Sequence, residues 1–301
     1  MMLPPIIDMR LRPPVDAWTR GSVFRTAMHY PRHFFTFKGA RSAWLESVDI
    51  LFEEMDSAGI RYGVAMGRNS SGAGNLGGVS NQDLVEVLAQ YPDRFLGFLS
   101  VDMDQIESSL AEIRELAGST GVKGISIEPG SGKVPRWSDD ASLDPVYELA
   151  LELKLPVSIS LSGLLSALAG HDITWSSPVS IQRVAQRYPD LKIIVSHAAW
   201  PYADEMVVVA LACPNIYVSP DLYASTKGMI CADTYVKGAN LFLEDRTLFG
   251  TAYPVKDIQE SLRDFLELGW RQDIIHKILW TNAAKLLGVE DKAAPVGGQQ
   301  A

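Results

Sequence analysis

The sequence predicts an α/β protein built as a single (β/α)8 TIM barrel with an irregular insertion after its first strand. Three observations carry that prediction. Eight short apolar, β-branched runs recur along the chain, amphipathic segments with apolar residues at three- and four-residue steps alternate with them, and no Gly/Ser/Pro-rich linker interrupts the series before its end. Strand then helix, repeated eight times, is the pattern of a closed parallel barrel, and 301 residues suffice for one.

The runs, in order, are PPIIDM, IRYGVAMG, RFLGFLSVD, VKGISIEP, LPVSISLS, LKIIVSH, NIYVSPD and TLFGTAYP. The segments SNQDLVEVLAQYP, IESSLAEIRELAGST, LDPVYELALELK and SPVSIQRVAQRYPD read as helices between them. From Pro13 to Ala43 the alternation breaks: Trp18, Phe24, Phe34, Phe35 and Phe37 follow no period. A long insertion after the first strand lies at the barrel end where sites are built, as a lid, an oligomer contact or an aromatic plug. The barrel is expected over residues 1–292, with 293–301 a disordered tail.

Composition narrows the classes of function. A net charge of −9 without a Lys/Arg-rich run argues against a nucleic-acid partner. No window reaches the roughly 18 consecutive apolar residues of a membrane span, and no export signal opens the chain, so a cytoplasmic protein is expected. Cys213 and Cys231 stand alone, without the spacing of a disulfide framework or a thiolate metal site.

In such a barrel, chemistry sits at the carboxyl ends of the strands, and the two-residue period decides which side chains share a face. Asp8, Arg10 and Arg12 share one on the first strand, Ser158, Ser160 and Ser162 on the fifth, Val195 and His197 on the sixth, Ser219 and Asp221 on the seventh, Gly250 and Ala252 on the eighth. Arg68, Asp102 and Glu128 end the second, third and fourth.

At these strand ends the chain resembles the amidohydrolase-related TIM-barrel family, in the branch typified by aminocarboxymuconate semialdehyde decarboxylase. IIDMRLR, DPVYELALELKLPVSIS, RYPDLKIIVSHAAWP, RTLFGTAYP and ILWTNAAKLLG carry the resemblance, from Ile6 to Gly288. The family usually shows Asp-x-His-x-His on its first strand, His on the fifth and sixth, and Asp in a Phe-Gly-x-Asp-x-Pro motif on the eighth. Here the two first-strand positions are Arg10 and Arg12, the fifth is Ser160 and the eighth is Ala252, leaving His197 on the sixth. The resemblance implies that first-, fifth- and eighth-strand residues hold a metal in relatives, while the sixth-strand His handles water or a proton. Guanidinium offers no lone pair and repels cations, so the expectation is no metal and no cofactor.

Arg10 and Arg12 present forked donors suited to a carboxylate. The alternative pairs them with Glu128, Asp8 or Asp221, closing the emptied site with ion pairs. His197 is the expected general acid/base, or else a buried His bonded to a carbonyl. Asp221 would hold His197, cap a helix or pair with Arg10. Arg68, Glu128 and Ser160 complete the candidate substrate-binding set, with Trp200 and Tyr253 as rings that stack on a planar substrate or simply pack. His171 and His276 read as structural or solvated, His29 and His33 lie in the insertion, and GSGK at 130–133 lacks phosphate-loop spacing.

The leading expectation is a metal-independent hydrolase of an ester or lactone bond in a small, carboxylate-bearing, aromatic or lactone-like substrate. Arg10 and Arg12 would anchor it, His197 would act as acid/base, and Asp221 or Glu128 would support. The alternatives are a decarboxylase of the same substrate class, a non-catalytic anion-binding or regulatory homologue, and a metal held by substitutes such as His197, Asp221 and Glu128. A homodimer is what the resemblance implies for assembly.

Overall fold

The computed structural model describes residues 3–21, 24, 39–68 and 78–290. Among these, seven strands form one curled parallel sheet in sequence order: β1 Ile6–Asp8, β2 Ile60–Met66, β3 Phe95–Ser100, β4 Val122–Ile127, β5 Val157–Ser162, β6 Ile193–Trp200 and β7 Ile216–Ser219. Helices separate them, Val48–Ala58, Asn81–Gln90, Ile106–Leu116, Asp144–Leu153, Val179–Arg187 and Ala203–Ala212 among them. Local chemistry sets their ends: Ser47 accepts the Ile50 amide to start the first of these, and Gly59 at φ 76° ends it.

The eighth expected strand does not form as a ladder. TLFGTAYP closes the ring through single bridges, Val218 with Thr247 and Leu11 with Tyr253, and through the Met9 amide on the Phe249 carbonyl at 2.9 Å. A left-handed Ala252 (φ 60°) and a proline without an N–H at 254 break regular pairing here. The architecture is therefore TIM-barrel-like, with seven strands and an irregular eighth segment.

Two apolar clusters lie on the two faces of the sheet. The larger joins the helices to the outward-facing residues, with Leu51, Met55, Leu84 and Ile113 against Ile60, Ala65, Phe95 and Leu99. The smaller fills the interior near the strand starts, where Ile7, Tyr62, Val64, Leu96, Phe98, Ile194 and Leu248 meet Trp280, Ala283, Ala284 and Leu287 of the last helical stretch. Above this apolar floor the inward positions turn polar: Ser100, Ser126, Ser158, Ser196 and Ser219 are all buried. Ser158 and Ser196 join side chain to side chain at 2.8 Å.

Most of the insertion, with His29 and His33, and the tail from 291 lie outside the described residues. Among the described residues no helix is long and apolar enough to cross a membrane.

Candidate active site

The first strand stops because Asp8 turns its carboxylate back on the chain. Asp8 Oδ1 accepts the Arg10 and Thr251 amides, each at 3.0 Å, and Oδ2 accepts the Thr251 hydroxyl at 2.6 Å. Burial pushes this carboxyl up to about 6, against the pull of those hydrogen bonds. Asp8 thus ties the end of β1 to the eighth segment. It is not the ion-pair partner of the arginines.

Arg10 is buried, its Nη1 3.3 Å from Met66 Sδ and its Nη2 3.5 Å from Glu128 Oε1. Arg12 donates from Nη1 to the Tyr253 carbonyl at 3.4 Å. Burial first, then repulsion from Arg10 and Arg68, pushes the Arg12 guanidinium down to about 9, still charged at neutral pH. Arg68 directs Nε, at 2.8 Å, and Nη2 onto one oxygen of Glu128. Burial alone would raise the Glu128 carboxyl, but Arg68, Arg10 and Arg12 together hold it below its ordinary value. All four line one partly open pocket, with Trp18, Phe24, Met66 and Val79 as its apolar side. Three guanidinium groups against one carboxylate give the lining a net positive charge.

His197 lies in the second half of β6 in a left-handed conformation (φ 64°), followed by Ala198 and Ala199 with φ of 46° and 57°. Such a run in residues with a Cβ is strained and needs outside support. The His197 amide donates to Asp221 Oδ2 at 3.0 Å, and Tyr235 donates its hydroxyl to the Ala198 carbonyl at 3.0 Å. Asp221 is itself left-handed (φ 52°), and its Oδ1 accepts the Ser219 hydroxyl at 2.6 Å. His197 Nδ1 lies 3.4 Å from Asp221 Oδ2, but both ring nitrogens are buried without a hydrogen-bond partner. Burial, then the positive charge of Arg10, Arg12 and Arg68, holds the imidazole well below its ordinary 6.5. It is neutral at pH 7, and burial also raises the Asp221 carboxyl.

The other expected site residues divide. Ser160 is half-buried beside Ser196 across the β5–β6 pair. Trp200 stacks flat on Tyr223 at 4.7 Å and donates from Nε1 to the Ile230 carbonyl. Tyr253 is fully buried; its hydroxyl meets Ser42 and its ring edge meets Phe24. His197, Asp221, Ser160, Trp200 and Tyr253 are not among the cavity's described lining residues. Met66 was not anticipated as a partner of Arg10, although its inward phase with Tyr62 and Val64 was readable from the two-residue period.

The residues at the family's metal positions do not suit a divalent cation. Arg10 and Arg12 bring charge of the wrong sign, and Ala252 brings no donor. Glu128 is engaged by Arg68 and Arg10, apart from the His197–Asp221 contact. Among the described residues no group of three or more His, Cys, Asp or Glu side chains is placed to hold a metal.

Comparison with known proteins agrees with the fold. An uncharacterised TIM-barrel protein from Bordetella bronchiseptica is 37% identical, matches 94% of this chain and 98% of its own, and superposes with a TM-score of 0.80. A gamma-resorcylate decarboxylase of a Polaromonas species is 25% identical over 69% of this chain and 74% of its own length. The 2-amino-3-carboxymuconate-6-semialdehyde decarboxylase of Dictyostelium discoideum is 24% identical over 70% of this chain and 66% of its own length. The amidohydrolase family model matches residues 7–289, nearly the whole barrel, and the chain belongs to that family.

Proposed function

We propose that this protein is a cytoplasmic, metal-independent hydrolase that cleaves an ester or lactone bond in a small carboxylate-bearing substrate. The observation that carries the reading is the cavity lined by Arg10, Arg12 and Arg68 with one carboxylate, Glu128, among them. Guanidinium pairs bind carboxylate oxygens and stabilise negative charge that develops on a carbonyl oxygen, a task given elsewhere to a metal. Trp18 and Phe24 on the same wall suit a flat apolar body.

A neutral His197 favours hydrolysis. As a base it removes a proton from water while the water oxygen bonds to the carbonyl carbon; the proton then passes to the departing oxygen as the carbon–oxygen bond breaks. Asp221 holds the His197 backbone in place. Decarboxylation of the same substrate class is the second reading, favoured by what the two curated relatives are named for. Screening of both His197 nitrogens favours a third, an anion-binding homologue without catalysis. A homodimer completes the proposal, to be checked by sedimentation.

Wild type, Arg10→Met and His197→Asn are compared on a panel of small carboxylates and lactones, with metal content measured by elemental analysis. Expected are turnover without stoichiometric metal, loss of binding in Arg10→Met, and loss of turnover with retained binding in His197→Asn. Carbon dioxide release would select decarboxylation. Binding that depends on Arg10, without turnover, would select the non-catalytic reading, and stoichiometric zinc or manganese would overturn metal independence.

A further inference from the structure

The three arginines of the cavity are not equivalent. Arg68 places Nε and Nη2 on the same Glu128 oxygen, a close and directional pair. Arg10 approaches the other oxygen only to 3.5 Å, spends Nη1 on a thioether, and keeps a buried Nε without a hydrogen-bond partner among the described residues. Arg12 makes one long bond, 3.4 Å, to a backbone carbonyl. Thioether sulfur and a stretched carbonyl contact are weak acceptors for a guanidinium. Glu128 therefore satisfies Arg68 and leaves Arg10 and Arg12 undersupplied.

We propose that the Arg68–Glu128 pair sets the charge of the ligand. Glu128 neutralises Arg68, Arg10 and Arg12 remain as a doubly positive seat, and the cavity selects molecules carrying two negative charges. Glu128 is the specificity-determining residue of the site. Its carboxyl stays ionised under its three arginine neighbours. The pair bridges the ends of two strands separated by β3, Arg68 two residues beyond β2 and Glu128 directly after β4, so the sheet sets its geometry. The inference rests on the cavity being an anion site, and it does not depend on which reaction follows.

Three probes of one shape and rising charge test it: benzoate, benzene-1,3-dicarboxylate and benzene-1,3,5-tricarboxylate, titrated calorimetrically at constant ionic strength into the full chain. Wild type is expected to bind the dianion roughly tenfold more tightly than benzoate and to gain nothing from the third charge. Glu128→Gln frees Arg68, and the trianion is then expected to bind roughly tenfold more tightly than to wild type. The double variant Arg68→Met/Glu128→Gln removes one charge of each sign, so the wild-type order should return; it also serves if the single variant fails to fold. Weaker or unchanged trianion binding in Glu128→Gln, or loss of the dianion preference in the double variant, would overturn the charge-setting role while leaving the anion site intact. Absence of binding in wild type, or binding unaffected by Arg10→Met, would overturn the anion site and this inference together.

Discussion

His197 combines burial with positively charged neighbours. Buried and surrounded by three guanidinium groups, it stays neutral in the folded chain, whereas in the unfolded chain its imidazole protonates below 6.5. A group whose folded value is depressed contributes stability that is fully present above the unfolded value and fades as pH falls below it. His197→Asn removes that dependence: the stability difference between wild type and variant should shift by about 1 kcal/mol per pH unit below 6.5. Thermal melts of the two proteins from pH 7 to 5 read this directly, and parallel profiles would contradict it. The positions of Arg10, Arg12 and His197 were legible in the sequence because strand period and resemblance agree on them. Their partners were not. Which acceptor Arg10 meets depends on Met66, 56 residues away, and on the inward phase of another strand. Asp8, which shares a sequence face with both arginines, turns instead to Thr251, 243 residues along the chain.

At the scale of elements, the helices were the most legible features. Asp144–Leu153 and Ile106–Leu116 form within the stretches their apolar spacing marks. The eighth strand was less so, because apolar content reports burial while Ala252 and Pro254 decide the ladder. Strain concentrates at three strand ends, where His197, Asp221 and Ala252 all have positive φ. Tight packing below leaves the sheet little slack. A Cβ at Gly124 on β4 would come within 2.7 Å of three ring atoms of Phe98 on β3, inside the barrel. Gly124→Ala is therefore expected to destabilise the fold by about 1–3 kcal/mol, measured as a lower denaturation midpoint, and an unchanged midpoint would show that Phe98 can move aside.

Over the whole molecule, sign and place are separated. The chain carries −9 overall, yet the lining of the cavity at Arg10 and Arg12 is net positive. Charge composition argued against a nucleic-acid partner and said nothing of this local inversion, since it arises from three residues brought together from β1 and β2 ends. An anion meets repulsion at long range and attraction only inside, so added salt should cost it less affinity than three arginines alone would imply.

The apolar floor gives the barrel a direction. Trp280, Ala283, Ala284 and Leu287 belong to the inner apolar cluster, and none of them lines the cavity of the arginines. In the proposed reaction, a product that keeps the substrate's carboxylate keeps its hold on Arg10 and Arg12. In the proposed hydrolysis, the acid released is expected to inhibit competitively, with an inhibition constant close to the substrate's own dissociation constant; steady-state rates with added product would reveal it, and noncompetitive inhibition would show that the product binds elsewhere.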